Sequence, residues 1–416
     1  MPIKFSDKCL LFFFPILVVV QLLAVFGIDN PYFAYLFYFF ILFYGARSFL
    51  KITYNLSQKM LMFGMILYFI ISGFTSGMPM SFLSNELRFF IIPCFFLFAG
   101  MYYPYDDFYK RYLYVTIFCV VIGFILYVLR PSFYANYLAN VYNNSWYTSG
   151  TISGSSAMME MFRFSSIFGS SYAISYHVTF GLCILLNDFF RTKPLINSDF
   201  YRVVLICLFI GAITLSSHRV AMAYSALLLG VAYLYGKFTH NNIAKYIFYI
   251  VLVFITLIVL LSIFADKMYF DFIKSNVLDR LMEMDYETAM EQGRNAQTER
   301  ALGGWNNVVF GDGTGSKGAF AREAGLPAIT DGGYIKLLTE NGILGCSIFA
   351  LLIISTIFRT LKYIKIYRVE LLIIVYVLFS MLGANSLSIN YHYVLLFWFS
   401  IGRVWNKKIL YINNPN

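Results

Sequence analysis

Long runs of apolar residues recur along almost the whole chain, separated by short polar and charged stretches. An apolar run of about 18 residues or more can cross the hydrocarbon core of a bilayer as a helix. The pattern predicts about twelve spans, and so an all-α polytopic membrane protein with a single integral domain, residues 1–416. The predicted spans are residues 9–28, 31–46, 60–76, 86–103, 112–129, 164–187, 200–216, 220–236, 245–264, 334–358, 369–384 and 390–405.

One long polar stretch, residues 265–333, interrupts this pattern and holds more than half of the acidic residues. We predict that it is a loop outside the bilayer that closes over a catalytic site at the membrane surface. A smaller polar stretch, residues 130–162, is predicted to lie on the same side. Its run 142–147 combines aromatic and amide side chains, which fits a sugar-binding surface and equally an ordinary polar loop.

Composition supports the membrane interpretation, with 60% hydrophobic and 12% charged residues and a mean hydropathy of +0.69. The net charge of +10 does not indicate nucleic acid as a partner, because the basic residues are spread over short loops between spans. Basic residues are enriched in cytoplasmic connections. Their distribution predicts that both termini are cytoplasmic and that the 265–333 loop is outside.

Two arginines in short outer connections are candidates for chemistry. Arg219 lies between two apolar spans, where a charge is costly unless it is paired or hydrated, so a functional role is the default hypothesis. Its guanidinium group suits bidentate binding of phosphate oxygens, although it can instead extend to the lipid head groups. The same two interpretations apply to Arg163. Arg88 and Glu86, at another span entrance, are predicted to pair.

The long loop contributes weaker candidates. Arg294 and Arg300 are cations in a hydrophilic segment, where a solvated charge is ordinary. The glycine-rich turn around Gly313 can present backbone N–H groups to a phosphate, although no lysine follows it as in a P-loop. Asp331, just before a span, can act as a general base or cap the following helix, and both remain open. His218 is a further possible base.

In order along the chain, four short motifs resemble those of the O-antigen polymerase and O-antigen ligase superfamily of bacterial envelope glycosyltransferases. They cover roughly residues 160–345. The first two are Arg163-Phe164-Ser165-Ser166-Ile167-Phe168 and Ser217-His218-Arg219-Val220-Ala221. The third is Gly293-Arg294 followed by Gly311-Asp312-Gly313, and the last is Asp331 through Tyr334 with Leu337, Glu340 and Gly342 to Gly345.

The resemblance implies a GT-C-like helical bundle in the bacterial inner membrane, with the long loop in the periplasm. It implies a donor chain on undecaprenyl pyrophosphate, whose leaving group is bound by Arg219 and Arg294, and a base at the position of Asp331. The ligases use a histidine there, which favours a polymerase. Arg163, His218, Arg300, Gly313 and Tyr334 are the expected substrate-binding residues. No metal ion or cofactor is expected.

The expected partners are an undecaprenyl-pyrophosphate-linked oligosaccharide, the lipid bilayer, a chain-length regulator and a flippase. Two alternatives remain: an O-antigen ligase that transfers the chain to lipid A core, and a flippase of lipid-linked oligosaccharide. A transporter with two matching halves is disfavoured, because the single long loop lies late in the chain and no internal repeat is visible.

Overall fold

The computed structural model describes residues 9–28, 31–144, 163–191, 194–238, 242–250, 307–318, 321, 325–326, 329, 332–384, 387 and 391–413. Regular structure in these residues is helical, with no strand among them. In chain order their α-helices with assigned bounds are α1 (Phe13–Val25), α2 (Pro31–Lys51), α3 (Leu56–Phe74), α4 (Met80–Cys94), α5 (Phe96–Tyr102), α6 (Asp107–Leu129), α7 (Ser132–Asn144), α8 (Ser171–Asp188), α9 (Asp199–Ser216), α10 (Arg219–Phe238), α11 (Gly333–Lys362), α12 (Ile364–Ser380), α13 (Tyr391–Val404) and α14 (Lys407–Asn413).

The predicted all-helical fold is confirmed, and six helices in the described residues are long and apolar enough to cross a membrane. Two shorter apolar helices, Leu10–Val25 and Tyr393–Val404, accompany them. These eight segments coincide with eight of the predicted spans. The six are Leu56–Phe74, Met80–Tyr102, Asp107–Leu129, Asp199–Ser216, Arg219–Lys237 and Gly333–Lys362.

The other four predicted spans are not among these eight apolar segments. Helices α2, α8 and α12 overlie three of them but fall outside this apolar set. The fourth, residues 245–264, lies mostly outside the described residues.

The smaller polar stretch predicted at residues 130–162 begins with helix α7. The Tyr134 hydroxyl of this helix donates to the carbonyl oxygen of Ser166 at 2.9 Å.

The described residues pack into two compact units, one drawn from Met1–Ala34 and Asp106–Met284, the other from Tyr35–Tyr105 and Asp285–Asn416. In the first unit α8 is central, since nearly all of its residues are buried. It packs on α6, α9 and α10, and Gly181 lies against the ring of Phe209. A helix that is buried all round is expected inside a bundle.

The second unit is organised around the crossing of α5 and α13. A Cβ atom on Gly100 would collide with the carbonyl oxygen of Phe399, and one on Gly402 would collide with that of Leu97. Small residues let membrane helices approach closely enough for backbone contact. The two glycines therefore set the distance between these helices.

Candidate functional site

In the first unit, a backbone hydrogen bond brings two of the sequence motifs to one end of the helices. The N–H of Phe164 donates to the carbonyl oxygen of Leu215 at 3.0 Å. Leu215 lies in the last turn of α9, which ends as Ser217 takes a left-handed conformation with φ of 53°. The chain then reverses within two residues, and α10 begins at Arg219.

His218 caps the start of α10. Its Nδ1 accepts from the N–H of Ala221 at 3.3 Å, and its carbonyl oxygen accepts from the N–H of Met222 at 3.0 Å. Nδ1 is thus an acceptor, so the hydrogen bond assigns the imidazole proton to Nε2. The rings of Tyr172 and Tyr176 lie against the imidazole, with centroids 4.5 and 5.6 Å away.

The environment of His218 keeps its imidazole neutral. Burial, and then the positive charge of Arg163, lower the pKa of His218 from 6.5 to about 3. A group with so low a pKa is a poor general base at neutral pH. The Nε2–H can instead act as a hydrogen-bond donor. The structure therefore gives His218 a capping role that its place in the sequence motif did not reveal.

Arg163 is buried, at 9% exposure, whereas Arg219 is exposed. Arg219, predicted from the sequence to lie between two spans, is the exposed first residue of α10. It forms no hydrogen bond or ion pair with the residues described here. A cation at a helix N-terminus opposes the helix dipole. An anion bound there would interact favourably with both.

In the second unit, the glycine-rich turn fills a break in helix α11. The helix is interrupted at Gly342, whose φ is 61° and ψ is −172°. The carbonyl oxygens of Thr339 and Glu340 accept from the N–H groups of Asp312 and Gly313, each at 2.9 Å. Gly342 packs directly against the backbone of the same turn. The Gly313 N–H is therefore already bonded to protein and is not available to a phosphate.

The carboxylate of Glu340 also contacts this turn. The N–H of Lys317 donates to Oε1 of Glu340 at 3.1 Å. Thr314 is held from the other side, its hydroxyl donating to Oδ1 of Asn341 at 2.6 Å. The N–H groups of Asp312, Gly313 and Lys317 thus bond oxygen atoms of α11, where the sequence pattern suggested a phosphate.

A buried cluster of charges surrounds Glu340. The Lys336 ammonium lies 3.5 Å from Glu340 and 3.6 Å from Glu86, and all three side chains are almost fully buried. Lys317 pairs with Asp312 at 3.1 Å. Sequence reasoning did not single out Lys336 or Glu86 for this role. The sequence feature that could have identified this pair is the spacing of Lys336 and Glu340, which are four residues apart and so share one helix face.

The predicted pairing of Glu86 with Arg88 is wrong. Arg88 forms no ion pair with Glu86, and its guanidinium lies over the rings of Tyr35, Tyr38 and Phe89 at 4.6 to 5.3 Å from their centroids. Residues two apart on a helix do not face each other. The Glu86 carboxylate instead reaches Lys336 on another helix.

Tyr334 is half-exposed near the start of α11, and its hydroxyl donates to the carbonyl oxygen of Leu378 at 2.8 Å. The other predicted catalytic and binding residues, Arg294, Arg300 and Asp331, lie outside the described residues. In the described part of the chain, no group of three His, Cys, Asp or Glu side chains is placed to hold a metal ion.

Comparison with known proteins found no family model that matches this chain and no similar protein among curated ones. The resemblance to the O-antigen polymerase and ligase superfamily therefore depends on the short motifs and their order.

Proposed function

We propose that this chain is a metal-independent glycosyltransferase of the bacterial inner membrane, a polysaccharide polymerase of the O-antigen type. In this proposal the chain forms a GT-C-like bundle of about twelve spans. Both termini are cytoplasmic and the 265–333 loop is periplasmic. The enzyme transfers a sugar chain from undecaprenyl pyrophosphate to a lipid-linked repeat unit.

One observation carries the proposal: Arg219 is exposed and unpaired among the described residues at the N-terminus of α10, and the preceding residue, His218, lies within the electrostatic reach of the Arg163 cation. Two guanidinium groups and a helix N-terminus form an electropositive site of the kind that binds phosphate. A diphosphate leaving group would use it.

The proposed reaction is a displacement at the anomeric carbon of the donor. A hydroxyl oxygen of the acceptor forms the new bond to this carbon as the bond to the pyrophosphate oxygen breaks. The hydroxyl proton passes to the carboxylate of Asp331. Arg219 and Arg294 stabilise the negative charge that develops on the pyrophosphate, and undecaprenyl pyrophosphate leaves.

Four of the other candidates bind substrate in this scheme. Arg163 makes a further phosphate contact, and Arg300 and Tyr334 contact the acceptor. His218 is neutral and donates through Nε2–H, so it orients substrate and does not accept the proton. Gly313 contributes by holding the loop against α11, because its own N–H bonds Glu340.

The decisive test is polymerisation in vitro, with the purified full chain, a synthetic lipid-linked repeat unit and a metal chelator. We expect products of increasing length and release of undecaprenyl pyrophosphate. No product, with the protein folded and the repeat unit intact, would refute the polymerase.

Deletion in the native host separates the alternatives. A polymerase leaves single repeat units on the outer side of the membrane. Intact long chains that never reach lipid A core would indicate a ligase, and repeat units retained on the inner side would indicate a flippase.

A further inference from the structure

One end of the second unit gathers the ends of several helices. Helices α2, α5, α11 and α13 end there, and α3, α12 and α14 begin there. Hydrogen bonds join them: the Asn55 amide donates to the carbonyl oxygen of Trp405 at 2.6 Å, and Nε of Arg359 donates to that of Val404 at 2.8 Å. The Tyr54 hydroxyl donates to Oδ1 of Asn406 at 3.0 Å. Residues from distant parts of the chain thus form one fixed surface.

This surface, here called the basic face, is densely positive. From Arg359 to Asn413 the sequence has one acidic residue, Glu370. Its carboxylate is buried and accepts from Nε of Arg403 at 2.8 Å. Residues 47–59 contain no acidic residue, and after Tyr102 the first acidic residues are Asp106, which pairs with Arg191, and Asp107. The cations of the basic face are Lys51, Arg359, Lys362, Lys365, Arg368, Lys407 and Lys408.

Two of these cations converge on one aromatic ring. The ammonium groups of Lys51 and Lys408 lie 5.6 and 4.9 Å from the centroid of the Tyr102 ring. Both lysines are exposed, and they come from opposite ends of the chain. Like charges gathered at one ring repel each other, and an anion that contacts both would convert that repulsion into attraction. Cation enrichment in cytoplasmic loops explains the presence of lysines, but not this convergence.

Exposed apolar side chains adjoin the basic face. Leu50 precedes Lys51 and is 78% exposed, and Leu361 precedes Lys362 and is 51% exposed. Tyr411 and Ile412 on α14 are also exposed. A cation beside an exposed aliphatic side chain at a helix end fits the boundary between lipid head groups and acyl chains. A soluble anion or an acidic protein would leave these apolar groups uncovered.

We propose that the basic face binds an anionic phospholipid. Its phosphate contacts Lys51 and Lys408 beside the Tyr102 ring, and its acyl chains run along the neighbouring apolar side chains. Clusters of basic residues next to membrane helices attract anionic lipids. The inference does not depend on the proposed glycosyl transfer.

The test uses the full chain in detergent micelles, with phosphatidylglycerol or phosphatidylcholine added at equal concentration and bound lipid measured by native mass spectrometry. The double variant Lys51→Gln/Lys408→Gln is compared with wild type and with the control Lys237→Gln/Lys245→Gln. The control removes the same charge from exposed lysines, one of which also lies over a ring, that of Tyr249.

Wild type and control are expected to retain phosphatidylglycerol in preference to phosphatidylcholine, and the Lys51/Lys408 variant to bind phosphatidylglycerol about tenfold more weakly. Equal binding of the two lipids by wild type, or equal loss in variant and control, overturns the proposal. Displacement of the lipid by excess inorganic phosphate would show a free-phosphate site instead. If the double variant does not fold, Lys408→Gln against Lys245→Gln decides by the same criteria.

Discussion

The N–H of Phe164 donates to the carbonyl oxygen of Leu215 at 3.0 Å. This bond fixes the residue after Arg163 to the last turn of α9, immediately before the reversal that contains His218 and begins α10 at Arg219. Two motifs that are far apart in the sequence are thus joined through the backbone. The arrangement explains how the charge of Arg163 can influence His218.

We predict that Arg219→Gln lowers polymer synthesis by about tenfold to a hundredfold, because one charge-assisted contact to phosphate contributes roughly 1.5–3 kcal/mol. Arg219→Lys should restore part of the activity, since an ammonium keeps the charge but not the bidentate geometry. Chain length of the polysaccharide on gels gives the measurement. Stability should not fall, because Arg219 is exposed and bonds none of the described residues.

Arg130→Gln is the matched control for that experiment. Arg130 is also exposed, belongs to the same unit and is predicted to lie on the same side of the membrane. Its guanidinium lies over the Tyr127 ring, which packs against Phe164, so this control tests whether loss of any exposed cation at this end of the unit has the same effect. An equal loss of polymer in both variants would show a general charge effect and would remove Arg219 from the proposed site.

His218 should make stability depend on pH. The folded protein holds its imidazole neutral down to a pKa of about 3, whereas the unfolded chain takes up the proton near 6.5. Between these values the unfolded state binds more protons, so stability falls as the pH falls through this window. Below about 3 both states are protonated and the loss is complete.

The measurement is the thermal midpoint in detergent, from pH 8 down to the lowest pH that keeps unfolding reversible. His218→Asn keeps an oxygen that can cap α10 but does not titrate, so the gap between wild type and this variant should close or reverse on acidification. His218→Ala loses the cap and should lose about 1 kcal/mol at neutral pH. A constant difference between wild type and His218→Asn across this range would contradict the assignment.

The sequence predicted the helices well because apolar runs determine them directly. It did not predict that the turn at residues 311–318 fills the break at Gly342, because these backbone bonds join distant segments and leave no pattern in either one. For the same reason it paired Glu86 with its neighbour Arg88 and not with Lys336. The capping role of His218 depends on the reversal at Ser217, a left-handed non-glycine residue that local propensity does not favour.

The buried cluster should be sensitive to loss of its cation. Lys336→Met leaves the carboxylates of Glu86 and Glu340 buried without the ammonium between them, which typically costs about 3–5 kcal/mol. Glu340→Gln keeps an acceptor for the Lys317 N–H and removes one negative charge. The double variant should therefore be destabilised by less than the sum of the two single changes.

Thermal unfolding of the three proteins checks this coupling, with Lys362→Met as control. Lys362 is on the same helix but exposed, so its replacement should change stability by about 0.5 kcal/mol or less. Additive single changes at Lys336 and Glu340 would show that the two side chains do not interact.

The close packing of the glycine-rich turn against the break in α11 gives the sharpest test of the fold. Gly342 has φ of 61° and ψ of −172°, a conformation open almost only to glycine. A Cβ atom there would also meet the backbone of Val309 and Gly311. Gly342→Ala should therefore destabilise the protein by about 3 kcal/mol or more, combining backbone strain and collision.

Gly64→Ala is the matched control, because Gly64 is an exposed glycine inside α3 whose added Cβ would meet nothing within 4 Å. Alanine is favoured over glycine in a helix, so this change should raise stability by about 0.5–1 kcal/mol. Opposite shifts of the thermal midpoint for the same substitution would establish the break at Gly342. If both variants gain stability, α11 is continuous and the turn at residues 311–318 does not enter it.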